Sequence, residues 1–159
     1  MIDGVRKKIK ILYWKIKYRD RIDIPWNLSF RRDFIINISK NGLLKIGDNC
    51  FFNNYCAINC MKEIVIGNNN IFGENVKIYD HNHVFNKEKF DLNELKTEKI
   101  EIGNENWIAS NVVILKKTKM KNRNVVGAGI ILNQELDSYN LLKCKQDIEI
   151  TAINVEVTK

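Results

Sequence analysis

The sequence predicts an all-β parallel β-helix, preceded by a short N-terminal helix and interrupted by an excursion loop at about 85–99. Three observations carry this. Aliphatic side chains recur every sixth position at Ile102, Ile108, Ile114, Met120, Val126 and Leu132. That period belongs neither to a helix (about 3.6) nor to a two-faced strand (2). The same rhythm runs upstream through Ile46, Phe52 and Ile58, slips at 60–63, and resumes at Ile66, Phe72, Ile78 and Val84. Gly47, Gly67, Gly73, Gly103 and Gly127 each follow an inward aliphatic, and asparagines crowd the next positions. Both residue types tolerate tight, sometimes left-handed, corners. Each hexad forms one short face and a corner, so three make one turn of a prism, and the rhythm supports roughly four to five turns.

The elements follow in order. Val5, Ile9, Leu12 and Ile16 fall at steps of four, three and four, which puts them on one face of a helix. Lysines and arginines cover much of the rest. Such a segment can lie on an anionic membrane surface; the plainer reading is a helix packed on its own domain or a neighbouring subunit. Pro25 marks a break, and Phe34, Ile36 and Ile38 alternate like a first strand. The boundaries are therefore 1–43 for the basic segment and lead-in, 44–136 for the coil, and 137–159 for a C-terminal extension. The fifth hexad member should also point inward and be compact; it is Cys50, Cys56, Val76, Val112 or Thr118. The rhythm fails between Val84 and Ile100, and a long excursion from a regular coil is more often functional than structural. Ile148 and Ile150 suggest an extended tail that could pair with an open coil edge.

Bulk properties narrow the classes. The 159 residues are 45% hydrophobic, enough for one domain with a core. No apolar run reaches the length of a membrane span, and no apolar block follows the basic start as in a secretion signal. Residues 1–21 hold eight basic side chains against two acidic ones, nearly the whole of the +7 excess, so a body-wide nucleic-acid footprint is not expected. Cys50, Cys56, Cys60 and Cys144 form neither a CxxC pair nor a disulfide framework, which points to a reducing cytoplasm. Their spacing misses zinc-knuckle patterns, and no metal is expected.

The only histidines, His81 and His83, stand together in IYDHNHVF beside the excursion. Counted from Ile78, His81 falls at a corner and His83 on the outer flank, so neither enters the apolar core. A lone histidine is more often structural or solvated, but two at one edge beside a long loop suit a general base, because neutral imidazole is available near pH 7.

These hexads, the DHNH corner, the loop and the following IGNENWIASNVVILKK…VVGAGI resemble the left-handed β-helix acetyltransferases. The nearest branch holds the galactoside, maltose and nodulation-factor enzymes and those decorating capsule or lipopolysaccharide sugars. The resemblance covers about residues 44–136, and the left hand comes from it, not from the periodicity. It implies an acetyl-CoA-dependent O-acetyltransferase acting on a sugar hydroxyl and a homotrimer with clefts shared by two chains; the cysteine usage and the basic N-terminus set the expected location as cytoplasmic or peripheral at the inner membrane face. The first histidine of the corner motif, His81, takes the role of catalytic base, with His83 as the possible second. Ser110, in Trp107-Ile108-Ala109-Ser110, matches the oxyanion donor position, with Ala109 replacing a glycine. Trp107 either lines the acceptor cleft or packs against the loop, and Asn53 matches a sugar-contacting asparagine. Gly127, Ala128 and Gly129 stand where the pantetheine arm pairs with the backbone, Ala128 foremost. Lys116 and Lys117 either meet the nucleotide phosphates or are merely solvated. Asn133-Gln134 departs from the family's threonine-lysine pair, and Met61 replaces an acidic sugar-binding residue, which argues against a galactoside held by a carboxylate. N-acetylation of an amino sugar and a non-catalytic trimeric scaffold are the alternatives. A γ-type carbonic anhydrase would need three histidines, and the chain has two.

Overall fold

The structure, a computed structural model, describes residues 2–85 and 90–145, with side chains over 4–84 and 94–145. Helix α1 (Ile2–Tyr18) and one turn of 3-10 helix (Arg19–Arg21) lead into a three-sided parallel β-helix of about six turns. The first face stacks Ile22–Asp23, Leu43–Ile46, Glu63–Ile66, Ile100–Ile102, Lys119–Met120 and Glu135–Leu136. The second stacks Ser29–Phe30, Phe51–Phe52, Ile71–Phe72, Trp107–Ile108, Val125–Val126 and Leu141–Leu142. The third stacks Ile35–Ile38, Ala57–Cys60, Lys77–Tyr79, Val113–Leu115 and Ile131–Leu132. Every neighbouring pair on these faces is parallel and in register, as in Ile100↔Ile64, Ile108↔Phe72 and Ile114↔Ile78.

The core is the column of hexad aliphatics, and all those from Ile46 to Leu132 that the rhythm marks inward are buried, save Val84 in the excursion. The compact fifth members Cys50, Cys56, Val76, Val112 and Thr118 are buried as well. Phe34, Phe52 and Phe72 stack ring on ring at 4.5 and 4.3 Å along the axis. The corners take left-handed backbone at Asn49, Asn69, Asn75 and Asn111, but also at Tyr55, Glu105, Lys117 and Arg123. An unforeseen device ties the first–second corner: Asn70, Asn106 and Asn124 are fully buried, and each side-chain oxygen accepts the backbone N–H one turn on. Such a ladder satisfies polar groups that the interior would otherwise leave unpaired.

The coil reaches further than the readable rhythm. Ile22–Asp23 pairs with Leu44–Lys45, so the lead-in before residue 44 contributes a whole first turn, and Leu141–Leu142 pairs with Val125–Val126 beyond residue 136. Cross-strand partners lie 22 residues apart from the first turn to the second, 20 from the second to the third, 18 from the fourth to the fifth and 16 from the fifth to the sixth. A first turn of 22 residues and a terminal spacing of 16 depart furthest from three hexads, which is why both ends escaped the six-residue period.

Two expectations are corrected. The stripe Val5, Ile9, Leu12 and Ile16 does not pack on the domain; these side chains are 47–66% exposed. α1 instead plugs the open end of the coil with Ile11, Trp14 and Tyr18, all at most 3% exposed. Trp14 continues the aromatic column at 5.3 Å from Phe30 and 5.6 Å from Phe34. Ile35–Ile38 is the terminal strand of its sheet, and its free edge is met by donors from the lead-in. Lys10 Nζ reaches the carbonyl of Phe34 (2.7 Å), Tyr18 Oη that of Ile36 (2.8 Å) and Arg21 Nη1 that of Ser39 (2.5 Å). An exposed edge would otherwise template association. The excursion, expected as a loop at about 85–99, is an antiparallel hairpin of His81–Phe85 and Phe90–Thr97. Both arms leave and return at one corner, so their backbone groups pair with each other. The proposed tail pairing of Ile148 and Ile150 lies outside the described residues.

Candidate active site

His81 sits where the coil turns from the third face to the first and opens into the hairpin. Its Nδ1 lies 3.2 Å from Oδ1 of Asp80. Asp80 is fully buried, and its carboxylate also accepts the backbone N–H groups of Met61 (2.8 Å), Lys62 (2.7 Å) and Glu63 (3.0 Å). A carboxylate oxygen only accepts, so in the neutral imidazole the proton sits on Nδ1 and the lone pair on Nε2. The His81 side chain is 15% exposed. Asp80, which the sequence reading passed over, is the partner that joins His81 to the first face; its signal was the D directly before HNH. His83 points from the hairpin into solvent and lacks a side-chain partner among the described residues.

Ser110 and Ala128 stack one turn apart at the second–third corner, where the Gly129 N–H donates to the Ser110 carbonyl at 3.1 Å. Below them in the same column the backbone N–H of Arg32 is met by Asn54, that of Asn54 by Asn53, and that of Glu74 by Ser110 Oγ. For Ser110 and Ala128 no such N–H partner is found among the described residues. The N–H groups of Gly127 and Gly129 are already bonded, to Leu142 and Ser110. This corner therefore presents two open donors in line, while in the corresponding column of the first–second corner the N–H groups of Asp48, Asn68, Asn104 and Asn122 all meet side-chain acceptors. Gly73 permits the close stacking, since a Cβ there would lie 2.6 Å from the Ser110 nitrogen. Asn53 joins this column and spends its oxygen on Arg31 and on the Asn54 N–H.

Other expected residues are differently disposed. Trp107 is exposed on the second face, in an outward row with Phe51, Ile71, Val125 and Leu141. The described strands of the excursion leave from the opposite corner. Lys116 lies on the His81 corner, paired with Glu98 of the returning hairpin arm, and that ammonium holds the Glu98 carboxyl below its usual range. Lys117 is exposed beside it in left-handed backbone. Within one chain, His81 and the Ser110–Ala128 donors stand at different corners, separated by the third face. Cys50, Cys56 and Cys60 occupy three different corners and each donates its thiol to a backbone carbonyl, so they share no centre. Among the described residues no three metal-binding side chains cluster, and no helix is long and apolar enough to cross a membrane.

No family model matches the sequence. The chain is 26% identical to WbbJ of Escherichia coli (strain K12), described as a lipopolysaccharide biosynthesis O-acetyl transferase, over 83% of this chain and 79% of that one. Among solved structures it is similar to a hexapeptide-repeat-containing acetyltransferase of Vibrio cholerae O1 biovar eltor complexed with acetyl coenzyme A. That match has a TM-score of 0.64 at 21% identity, covering 87% of this chain and 78% of the other. A galactoside acetyltransferase in complex with coenzyme A matches with a TM-score of 0.62 at 19% identity, covering 87% and 76%. The chain is a hexapeptide-repeat β-helix, the fold of these acetyltransferases, and is similar in sequence along most of its length to an O-acetyl transferase of lipopolysaccharide biosynthesis.

Proposed function

We propose that this protein transfers an acetyl group from acetyl-CoA to a hydroxyl of a carbohydrate in the assembly of a cell-surface polysaccharide, with His81 as general base. The observation that carries the reading is the buried Asp80 carboxylate bonded to Nδ1 of His81 at the base of the hairpin. It fixes the tautomer in which Nε2 takes the proton of the acceptor hydroxyl. The freed oxygen attacks the thioester carbonyl, and the Ser110 corner donates to the developing oxyanion. The C–S bond then breaks, and the imidazolium returns its proton to the leaving thiolate. The open N–H group of Ala128, one turn on from Ser110, suits an amide carbonyl of a pantetheine arm lying along the coil.

The separation of the two corners supports a homotrimer in which His81 of one copy faces the Ser110–Ala128 column of the next. The apolar row Phe51, Ile71, Trp107, Val125 and Leu141 is suited to burial between copies. The 26% likeness to the lipopolysaccharide enzyme supports a cell-surface glycan as acceptor.

Thiol release with acetyl-CoA and a panel of sugars and amino sugars tests the reading. His81→Ala should lower transfer by at least about 100-fold, with CoA binding by calorimetry unchanged, and His83→Ala should do less. Undiminished transfer by His81→Ala would rule the base assignment out. Turnover confined to amino sugars would make the enzyme an N-acetyltransferase, and absence of CoA binding would leave a scaffold.

A further inference from the structure

We propose that the outer face of α1 docks the protein on an anionic phospholipid surface, with the coil standing away from the bilayer. The buried side of the helix is fully occupied in plugging the coil through Ile11, Trp14 and Tyr18. Yet Val5, Ile9, Leu12, Tyr13 and Ile16, on the far side, are each about half exposed or more. At about 100° per residue these five lie within roughly 100° of one another, and the four aliphatics within roughly 60°. The chain's own core therefore has no use for this second apolar stripe.

What borders the stripe identifies its occupant. Lys8 and Lys15 fall along one margin and Arg6 and Lys17 along the other. Lys15 lies 5.3 Å over the ring of Trp26, itself 55% exposed beside the helix, and Lys17 lies 5.6 Å over Tyr13. An apolar stripe with cations on both margins and aromatic rings at its edge is the build of a helix lying in the membrane interface. On the Arg6 side a cavity of about 450 Å³ opens between α1 and the first coil turn, lined by Arg6, Lys7, Lys10, Arg31 and Arg32 against the single acid Asp33. Phospholipid headgroup phosphates match that charge. A second copy of the helix matches it poorly, since face-to-face packing would bring rows of like charge together.

The test is cosedimentation of the full chain with vesicles, a binding readout independent of the acetyl-transfer reading. Wild type should bind vesicles of phosphatidylcholine with phosphatidylglycerol, lose binding at high salt, and ignore pure phosphatidylcholine. Ile9→Glu and Ile16→Glu, both at exposed positions, should each weaken binding about tenfold or more with unchanged thermal midpoints. Wild type failing to bind anionic vesicles, or both variants binding as well as wild type, would overturn the proposal. So would a fall in mass of either variant in sedimentation velocity, which would assign the stripe to another copy of the chain.

Discussion

At the scale of single residues, the third–first corner is governed by Asp80. Its carboxylate, fully buried, gathers three backbone N–H groups and His81. Asp80→Ala should cost about 3 kcal/mol, because three part-buried N–H donors and His81 lose their acceptor together, and urea unfolding would read the loss. The same carboxylate, with burial as the larger cause, pushes the neighbouring Cys60 thiol up to about 12; burial raises Cys50 and Cys56 as well. A thiol reagent at mild pH should therefore modify exposed Cys144 quickly, and the three buried cysteines only after denaturation. The sign for stability follows. Above about pH 9 the unfolded chain ionises Cys60 while the native chain keeps its proton, so stability should fall as pH rises from there towards 12. At this scale the sequence was legible wherever spacing alone decides: Cys50, Cys56 and Thr118 are inward as the hexad requires. Asp80 and the Asn70–Asn106–Asn124 ladder were not legible, because a polar residue at an inward position is explained only by partners a turn away.

Among elements, α1 shows what periodicity does and does not specify. The stripe of Val5, Ile9, Leu12 and Ile16 was found correctly, but a helix can have two apolar sides, and the pattern does not say which side meets the core. The aromatic side won, since Trp14 extends the Phe30–Phe34–Phe52 stack while Tyr18 also serves the free edge of Ile35–Ile38. Trp14→Ala should therefore destabilise the fold by about 3–5 kcal/mol, measurable by thermal or urea unfolding. Substitutions confined to the outer stripe should leave stability within about 0.5 kcal/mol. The excursion was legible as a break in rhythm and not as a hairpin. Its strands answer to each other rather than to the hexad, through His81↔Thr97 and His83↔Leu95, with a register shift beyond His83.

For the whole molecule, the coil narrows in chain length from 22 residues per turn to 16. The added residues near the helix lengthen the first and third faces to four-residue strands such as Leu43–Ile46 and Ala57–Cys60. The wide end accommodates Phe34, Phe52 and Phe72, and Phe52 lies between the other two at 4.5 and 4.3 Å. Phe52→Ala should cost about 3–5 kcal/mol and lower the thermal midpoint more than an equivalent truncation of Leu132 at the narrow end. The candidate site divides along the same line between legible and hidden. The corner that bears Ser110 and Ala128 could be found from the 18-residue turn, but the distance between it and His81 depends on which corner each occupies.

The asparagine ladder has one more consequence. Asn106 bonds Asn70 across 36 residues and Asn124 bonds Asn106 across 18, with nearly the same geometry at each step. The coil thus closes over the inserted hairpin as though it were absent. An arm so attached is free to drift in sequence, lengthen or be exchanged for another without unsettling the scaffold. Descent with modification could in this way remodel the rim around His81 while the coil and its stacked corners stay intact.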